Sequence, residues 1–382
     1  MLHFYDQRKW FASEGYREQT VTMKAILLEG SKAALREIPT PEIGPGEVLL
    51  SVDACGLCGS DLLKLDCEGV AAGPRPGRNL GHELTGRVVR KGPQAPADLG
   101  LGDRVIVAHH VPCGICHYCR HQHPSMCPQF KETNLEPGGF SEFVRVSERH
   151  VRHTLLKIPS GLDSLSASLT EPLACCLRNV RRMNLAPQDS VGVIGLGSIG
   201  LLMCQALRQR GLAVLGFDLD PARLRAAHNL GLKASDGRDA VQRIAELTDG
   251  RGLDALTFTA GSPTLVADKI RWVRDGGVIN LFAELGPSAL AALDFKEFYH
   301  RELTLMSSYS PAPNDLEDAL RLIASGAISV APLVCNTFTL AQFDEAVRSA
   351  RSREILKAIL VPEKNTAISP PRLLSSPVGG GK

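Results

Sequence analysis

Four cysteines stand at short, regular intervals, Cys113-x2-Cys116-x2-Cys119-x7-Cys127. Four thiolates at this spacing can surround one tetrahedral zinc ion and leave no position open, so such a site is structural. An iron–sulfur cluster also takes four cysteines, and spacing alone admits it. The loop has no partner cluster of cysteines and the rest of the chain is not ferredoxin-like, so zinc is the expectation. His117, His121 and His123 share the loop, but the four sulfurs already fill the shell.

A second set lies upstream. Cys58, in Cys55-Gly56-Leu57-Cys58-Gly59-Ser60-Asp61, and the pair His82-Glu83 offer a thiolate, an imidazole and a carboxylate. Zinc held by such ligands with one replaceable position is catalytic, because it lowers the pKa of a bound hydroxyl toward neutrality. That is the chemistry needed to make an alkoxide. Taken alone, a cysteine in a strand turn is more often a small core residue.

The third set is Gly195-x-Gly197-x-x-Gly200, with Ser198 and Ile199 opening a helix after an apolar strand. Glycines there let backbone N–H groups and the helix N-terminus approach a pyrophosphate. Asp218 closes the next strand 23 residues after Gly195, where an acid binding the adenosine ribose hydroxyls belongs. Its charge repels a 2′-phosphate, so NAD is favoured over NADP, although Arg223 lies close by.

The elements that must carry these residues fall into two halves. From 24 to about 160 the chain reads as short strands, such as 48–54 with Val48, Leu50, Val52 and Ala54 on one face, broken by Gly-Pro turns. Met23 begins the first strand, and residues 1–22 form an extension, either a real arm or a misassigned start. After about 165, strands at 191–194, 214–218, 255–259 and 278–282 alternate with helices, which implies a parallel, doubly wound sheet. Asp220 caps a helix with Pro221 first, ending at Gly231. Asn314 caps another with Leu316, Ala319, Leu320 and Ile323 on one face, and Gly326 stops it. Thr339 and Gln342 form a capping box before a helix carrying Phe343, Ala346 and Val347, and a strand at 355–361 follows. The Pro-, Ser- and Gly-rich segment 363–382 is expected to be disordered.

Composition excludes several classes. The 382 residues suit two domains at ~150 residues each, and 44% hydrophobic with 22% charged residues suits a sizeable core. A net charge of +2 gives no reason to expect nucleic acid or an acidic membrane as partner. The first 21 residues carry no export-type apolar region, so a cytoplasmic, reducing setting is expected, where clustered cysteines bind metal.

Taken in order, these motifs make the chain resemble the zinc-dependent medium-chain alcohol/polyol dehydrogenases over residues 24–361. Gly102-Asp103-Arg104-Val105, Gly138-Gly139-Phe140-Ser141-Glu142-Phe143 and Glu171-Pro172-Leu173-Ala174 add to the match, the last as in the sorbitol and threonine dehydrogenase branch. The resemblance implies an α/β protein with a GroES-like, mostly-β catalytic domain (23–178 and 314–362) and an inserted NAD-binding Rossmann domain (179–313). It implies two zinc ions per chain, one structural and one catalytic. Cys58 and His82 would be ligands of the catalytic ion, with Glu83 or Glu171 completing its shell. Asp61 would orient His82, and Ser60 would hydrogen-bond the substrate hydroxyl and begin proton removal. His110 matches a histidine near the threonine dehydrogenase pocket, or else is a strand-end structural histidine. One departure is plain: the family's relay histidine, five residues after the cysteine ligand, is Leu63 here, and Leu63 cannot carry a proton.

The expectation is an NAD-dependent oxidation of a secondary alcohol or polyol to a ketone, by a homodimer or homotetramer. A threonine-type amino-alcohol dehydrogenase is the alternative among enzymes. A non-enzymatic NAD- and zinc-binding protein of the same fold is the rival outside them. The other cysteines (Cys55, Cys67, Cys175, Cys176, Cys204 and Cys335) lack ligand spacing and are read as packing, with Cys175 or Cys176 able to line the pocket.

Overall fold

A computed structural model describes residues 21–30, 32–66, 79–284 and 293–363. Cys67, most of the N-terminal extension and nearly all of the C-terminal tail lie outside the described residues. Among the described residues, no helix is long and apolar enough to cross a membrane.

The N-terminal half builds two antiparallel sheets. β1 (Thr22–Glu29) and β2 (Lys32–Pro39) form a hairpin. β3 (Val48–Gly56) buries Val48, Leu50, Val52 and Ala54, the face expected from their alternation. It pairs with β4 (Glu83–Lys91), which continues to β5 (Arg104–Val107) and β7 (Leu155–Lys157), while β6 (Phe143–Val146) pairs with β3.

The second half is a six-stranded parallel sheet. Its strands are β8 (Ser190–Ile194), β9 (Ala213–Phe217), β10 (Ala234–Ser235), β11 (Leu253–Phe258), β12 (Val273–Leu281) and β13 (Thr304–Ser307). The spatial order is β10-β9-β8-β11-β12-β13, so the chain reverses direction across the sheet between β8 and β11 and opens a crevice at their carboxyl ends. The Asp220 carboxylate caps helix Pro221–Asn229 through the Ala222 N–H at 2.7 Å, and Gly231 follows with φ 67°, as the sequence suggests.

Three boundaries differ clearly from the sequence reading, one of them the start of β12, which lies at Val273 and not at 278. Helix Pro313–Ala324 buries the expected Leu316, Ala319, Leu320 and Ile323, but Asn314 is inside it. Pro313 takes the first position, and the Asp315 carboxylate reaches back to the Ala312 N–H at 2.7 Å. The strand expected over 355–361 shrinks to β15 (Ile359–Leu360), and Lys357, just before it, turns inward to an ion pair. β15 pairs antiparallel with β3 and parallel with β14 (Thr337–Phe338), which returns the end of the chain to the first sheet.

Helix Thr170–Met183 links the two halves. Its Leu173, Ala174, Cys176 and Leu177 share one buried core with Val191 and Val193 of β8. Asn179 and Asn280 of β12 exchange reciprocal amide hydrogen bonds of 3.0 and 2.7 Å, and Asn280 also donates to Thr257 of β11 at 3.1 Å. All three are fully buried, so this network fixes the helix to the parallel sheet.

Candidate active site

The turn after β3 carries Cys58, and β4 opens with Glu83 directly after His82. Antiparallel register sets Gly56 opposite Glu83. One ligand atom from each of Cys58, His82 and Glu83 lies within 4.8 Å of the others. Asp61, buried in helix Gly59–Asp66, ties the two segments together by accepting the Cys58 N–H and the Gly81 N–H, both at 3.1 Å. Its carboxylate is 3.5 Å from His82 Nδ1. Gly81 has φ 77°, and a Cβ there would stand 2.7 Å from the Phe140 nitrogen, so the approach to His82 demands glycine.

The Lys357 ammonium forms an ion pair with Glu83 Oε2, both groups buried. Glu83 Oε1 is buried and accepts no hydrogen bond among the described residues. An orphaned carboxylate oxygen beside a thiol and an imidazole is a donor set suited to zinc.

Charge is concentrated here. Burial works against the protonated His82, but Asp61 and Cys58 hold its pKa well above the ordinary value. Burial likewise raises Asp61, yet His82 and Lys64 leave it below its ordinary value. Glu171, at the start of helix Thr170–Met183, is pushed up to about 7 by burial, with Glu83 adding to the shift and His82 opposing it. Burial also opposes the charge on Lys357, while Glu83 holds it above its ordinary range.

Glu171 is buried beside the cluster and accepts the Cys175 thiol at 3.6 Å, but it lies outside the close set of three. Ser60 is exposed at the helix start, as is Leu63 one turn on. His110 does not join the close set: its Nδ1 meets the Thr133 carbonyl at 2.5 Å, and its ring stands 3.9 Å from that of His109. Burial holds its pKa down to about 4. The ring of His109, which sequence reasoning passed over, lies 4.5 Å from that of His82, tilted by 44°. Its only sequence signal is adjacency to His110. Lys357 carries no local signal at all.

The four-cysteine lobe closes on itself. The sulfurs of Cys113, Cys116, Cys119 and Cys127 lie within 4.8 Å of one another. Backbone N–H groups point at sulfur, from Cys116 to Cys113 at 3.3 Å and from Cys113 to Cys127 at 3.4 Å. The Cys113 thiol is drawn down to about 6 by the Ile115 and Cys116 N–H groups, so a thiolate ligand suits this lobe. His117, His121 and His123 are exposed. Among the remaining cysteines, Cys55, Cys176 and Cys204 are buried, while Cys335 is exposed and not the packing residue expected.

Gly195 leaves β8 with φ 91°, and a Cβ on Gly200 would overlap the Gly195 carbonyl oxygen. A Cβ on Gly197 meets nothing within 4 Å, so open space faces the N-terminus of helix Ser198–Gln209. Ser198 and Ile199 are half-buried at its first turn. Asp218 accepts the Leu196 N–H at 2.7 Å and the Asp220 N–H at 2.9 Å, with Arg223 Nη1 at 3.4 Å. The cradle therefore fits a pyrophosphate at the helix end and a ribose at the acid.

Residues 44–160 match the alcohol dehydrogenase GroES-like domain, and residues 198–325 match the zinc-binding dehydrogenase family. A sorbitol dehydrogenase of Halalkalibacterium halodurans is 30% identical over 338 residues, covering 86% of this chain and 95% of that protein. The D-altritol 5-dehydrogenase of Agrobacterium fabrum is 31% identical, covering 84% and 94%. The 2R,3R-butanediol dehydrogenase structure from Bacillus subtilis superposes with a TM-score of 0.76 at 27% identity, covering 89% of this chain and all of that one.

Proposed function

The chain belongs to the zinc-dependent medium-chain alcohol/polyol dehydrogenases, and we propose that it oxidises a secondary hydroxyl of a small polyol-type molecule to a ketone with NAD as hydride acceptor. The observation that carries this reading is the close set of half-buried Cys58 with buried His82 and Glu83, and an orphaned carboxylate oxygen, in a chain that also holds the glycine cradle.

Cys58, His82 and either Glu83 or Glu171 would hold the catalytic zinc, and Cys113, Cys116, Cys119 and Cys127 the structural one. Bound there, zinc lowers the proton affinity of a coordinated hydroxyl toward neutrality. Asp61 keeps the Cys58 turn and the His82 segment in register through its two backbone bonds. Ser60 accepts the substrate proton. Because Ser60 is exposed and Leu63 cannot relay, the proton leaves Ser60 directly to water. Lys357 balances the Glu83 charge in a site otherwise rich in anions.

Residues 179–313 form the coenzyme unit, with Gly195, Gly197, Ser198, Ile199 and Gly200 around the pyrophosphate and Asp218 on the ribose. The flanking segments 23–178 and 314–362 form the catalytic unit, which the pairing of β15 with β3 supports. NAD is favoured because the Asp218 carboxylate repels a 2′-phosphate, although Arg223 offsets part of that charge. A homodimer or homotetramer is supported by β13, which ends the parallel sheet among the described residues, with Leu305 exposed on it and Phe295 and Tyr299 exposed on helix Phe295–His300.

The test is NADH formation across polyols, simple secondary alcohols and threonine. The reading requires turnover with a polyol-type alcohol; turnover confined to threonine, or to none of these, overturns it.

A further inference from the structure

Helix Thr170–Met183 presents Glu171, Cys175, Arg178 and Arg182 on one face, at helical spacings of four, three and four residues. The stripe begins beside the metal-binding set and runs toward the four-cysteine lobe. Arg178 is 4% exposed, and its Nη2 is buried without a hydrogen-bond partner among the described residues, so Nη1 alone makes its hydrogen bonds. Its Nη1 donates to Ser125 Oγ at 2.9 Å, to the Tyr309 carbonyl at 2.5 Å and to the Ser310 carbonyl at 2.8 Å. Ser125 is buried between the lobe cysteines Cys119 and Cys127. Ser310 holds φ 59° immediately before Pro311, a conformation that a non-glycine residue keeps only when its surroundings impose it. Arg182 adds a second tie from the helix to the lobe, 3.4 Å from His123 Nδ1.

The turn that Arg178 grips carries Tyr309, a half-exposed side chain. Arg178, which holds the Tyr309 carbonyl, lies two helical turns from Glu171 on the same helix face, so this turn flanks the end of the helix that meets the metal-binding set, and burial raises the Tyr309 phenol pKa. A phenol there offers both a donor and an acceptor to a second hydroxyl of a bound substrate.

We propose that Arg178 is a positioning residue that clamps the Tyr309–Ser310 turn to the four-cysteine lobe, and that Tyr309 so placed selects substrates bearing a hydroxyl beside the one that reacts. The lobe then sets substrate choice as well as stability, through one guanidinium. The selectivity half of this inference rests on the dehydrogenase reading above; the clamp half does not.

Two measurements test it separately. In the zinc-loaded full chain, amide hydrogen exchange is compared between wild type and Arg178→Met, with Arg178→Lys as the conservative variant. Arg178→Met is expected to lose protection at least tenfold at 308–312 and together with it at 119–127, with Lys restoring part of it. Unchanged protection at 308–312 overturns the clamp, whether or not the protein is active. In kinetics, kcat/KM is measured for a polyol and for 2-butanol. Tyr309→Phe is expected to lower the polyol-to-butanol ratio about tenfold, the worth of one hydrogen bond to substrate. Arg178→Met is expected to lower the ratio similarly, mainly through the KM for the polyol, and the double variant to do no worse. A ratio unchanged in Tyr309→Phe overturns the selectivity role. A fall in kcat equal for both alcohols does the same for Arg178. If Arg178→Met does not fold, Arg178→Lys and Tyr309→Phe still decide both halves. Wild type without NAD reduction on either alcohol overturns the dehydrogenase reading and the selectivity role with it, while the exchange data judge the clamp alone.

Discussion

Replacing Lys357 by methionine removes one half of a buried ion pair and keeps most of the side-chain volume. Lys357 is 5% exposed and Glu83 1%, so the carboxylate left behind has little water to turn to. Breaking such a pair from one side costs about 3–5 kcal/mol. Unfolding entropy near 2.1 cal/mol/K per residue gives about 0.8 kcal/mol per kelvin for 382 residues, so the midpoint should fall by about 4–6 °C. Glu83→Gln strands the ammonium instead and should cost a similar amount. In the double variant neither charge remains, and a coupling energy of about 2–3 kcal/mol should be recovered. The assay is thermal unfolding of all four proteins at matched zinc content. A Lys357→Met midpoint within about 1 °C of wild type would refute the reasoning, as would losses that simply add.

Three further outcomes follow from the same geometry. Asn280→Ala leaves the Asn179 amide buried and unpaired, and should destabilise by about 1–3 kcal/mol in urea unfolding; a change below about 0.5 kcal/mol would deny the network its role. Asp218→Ser removes the charge facing a 2′-phosphate, so the ratio of kcat/KM for NADP to that for NAD should rise at least about tenfold; an unmoved ratio would leave the NAD preference without this cause. His110 has a folded pKa near 4 against an ordinary 6.5, because burial disfavours its charged form. Below 6.5 the unfolded chain takes up a proton that the folded one refuses. Stability should therefore fall by up to about 1.4 kcal/mol per pH unit until about 4, where folded His110 also protonates. His110→Gln should flatten that slope in unfolding curves taken across the range, and identical slopes would contradict it.

Where function depends on neighbours in sequence, it was readable. The spacing of Cys113, Cys116, Cys119 and Cys127, the three glycines after β8 and the Asp220-Pro221 cap each declare themselves within a few residues. Such local signals reflect turn geometry and ligand reach, which a short segment determines by itself. Asn314 misled by two places, because Pro313 takes the first helical position and the Asp315 carboxylate reaches back to the cap at Ala312. The strand expected at 355–361 is apolar enough, yet Lys357 is needed inside by Glu83, far earlier in the chain. Nothing near Lys357 announces that partner. Arg178 is equally silent: its three acceptors come from the lobe and from the turn after β13, which only the folded chain brings to one helix. Glu171 was marked by its Glu-Pro context, but whether it or Glu83 completes a metal shell turns on positions set by packing.

The central claim is that one of two metal sites does the chemistry. Zinc content and NADH formation, measured together on wild type and on Cys58→Ala with a polyol substrate, test it most directly. The account predicts two zinc ions per chain and turnover in wild type, against one zinc, retained NAD binding and no turnover in Cys58→Ala. Turnover surviving in Cys58→Ala, or a wild type active with zinc in the four-cysteine lobe alone, would contradict it.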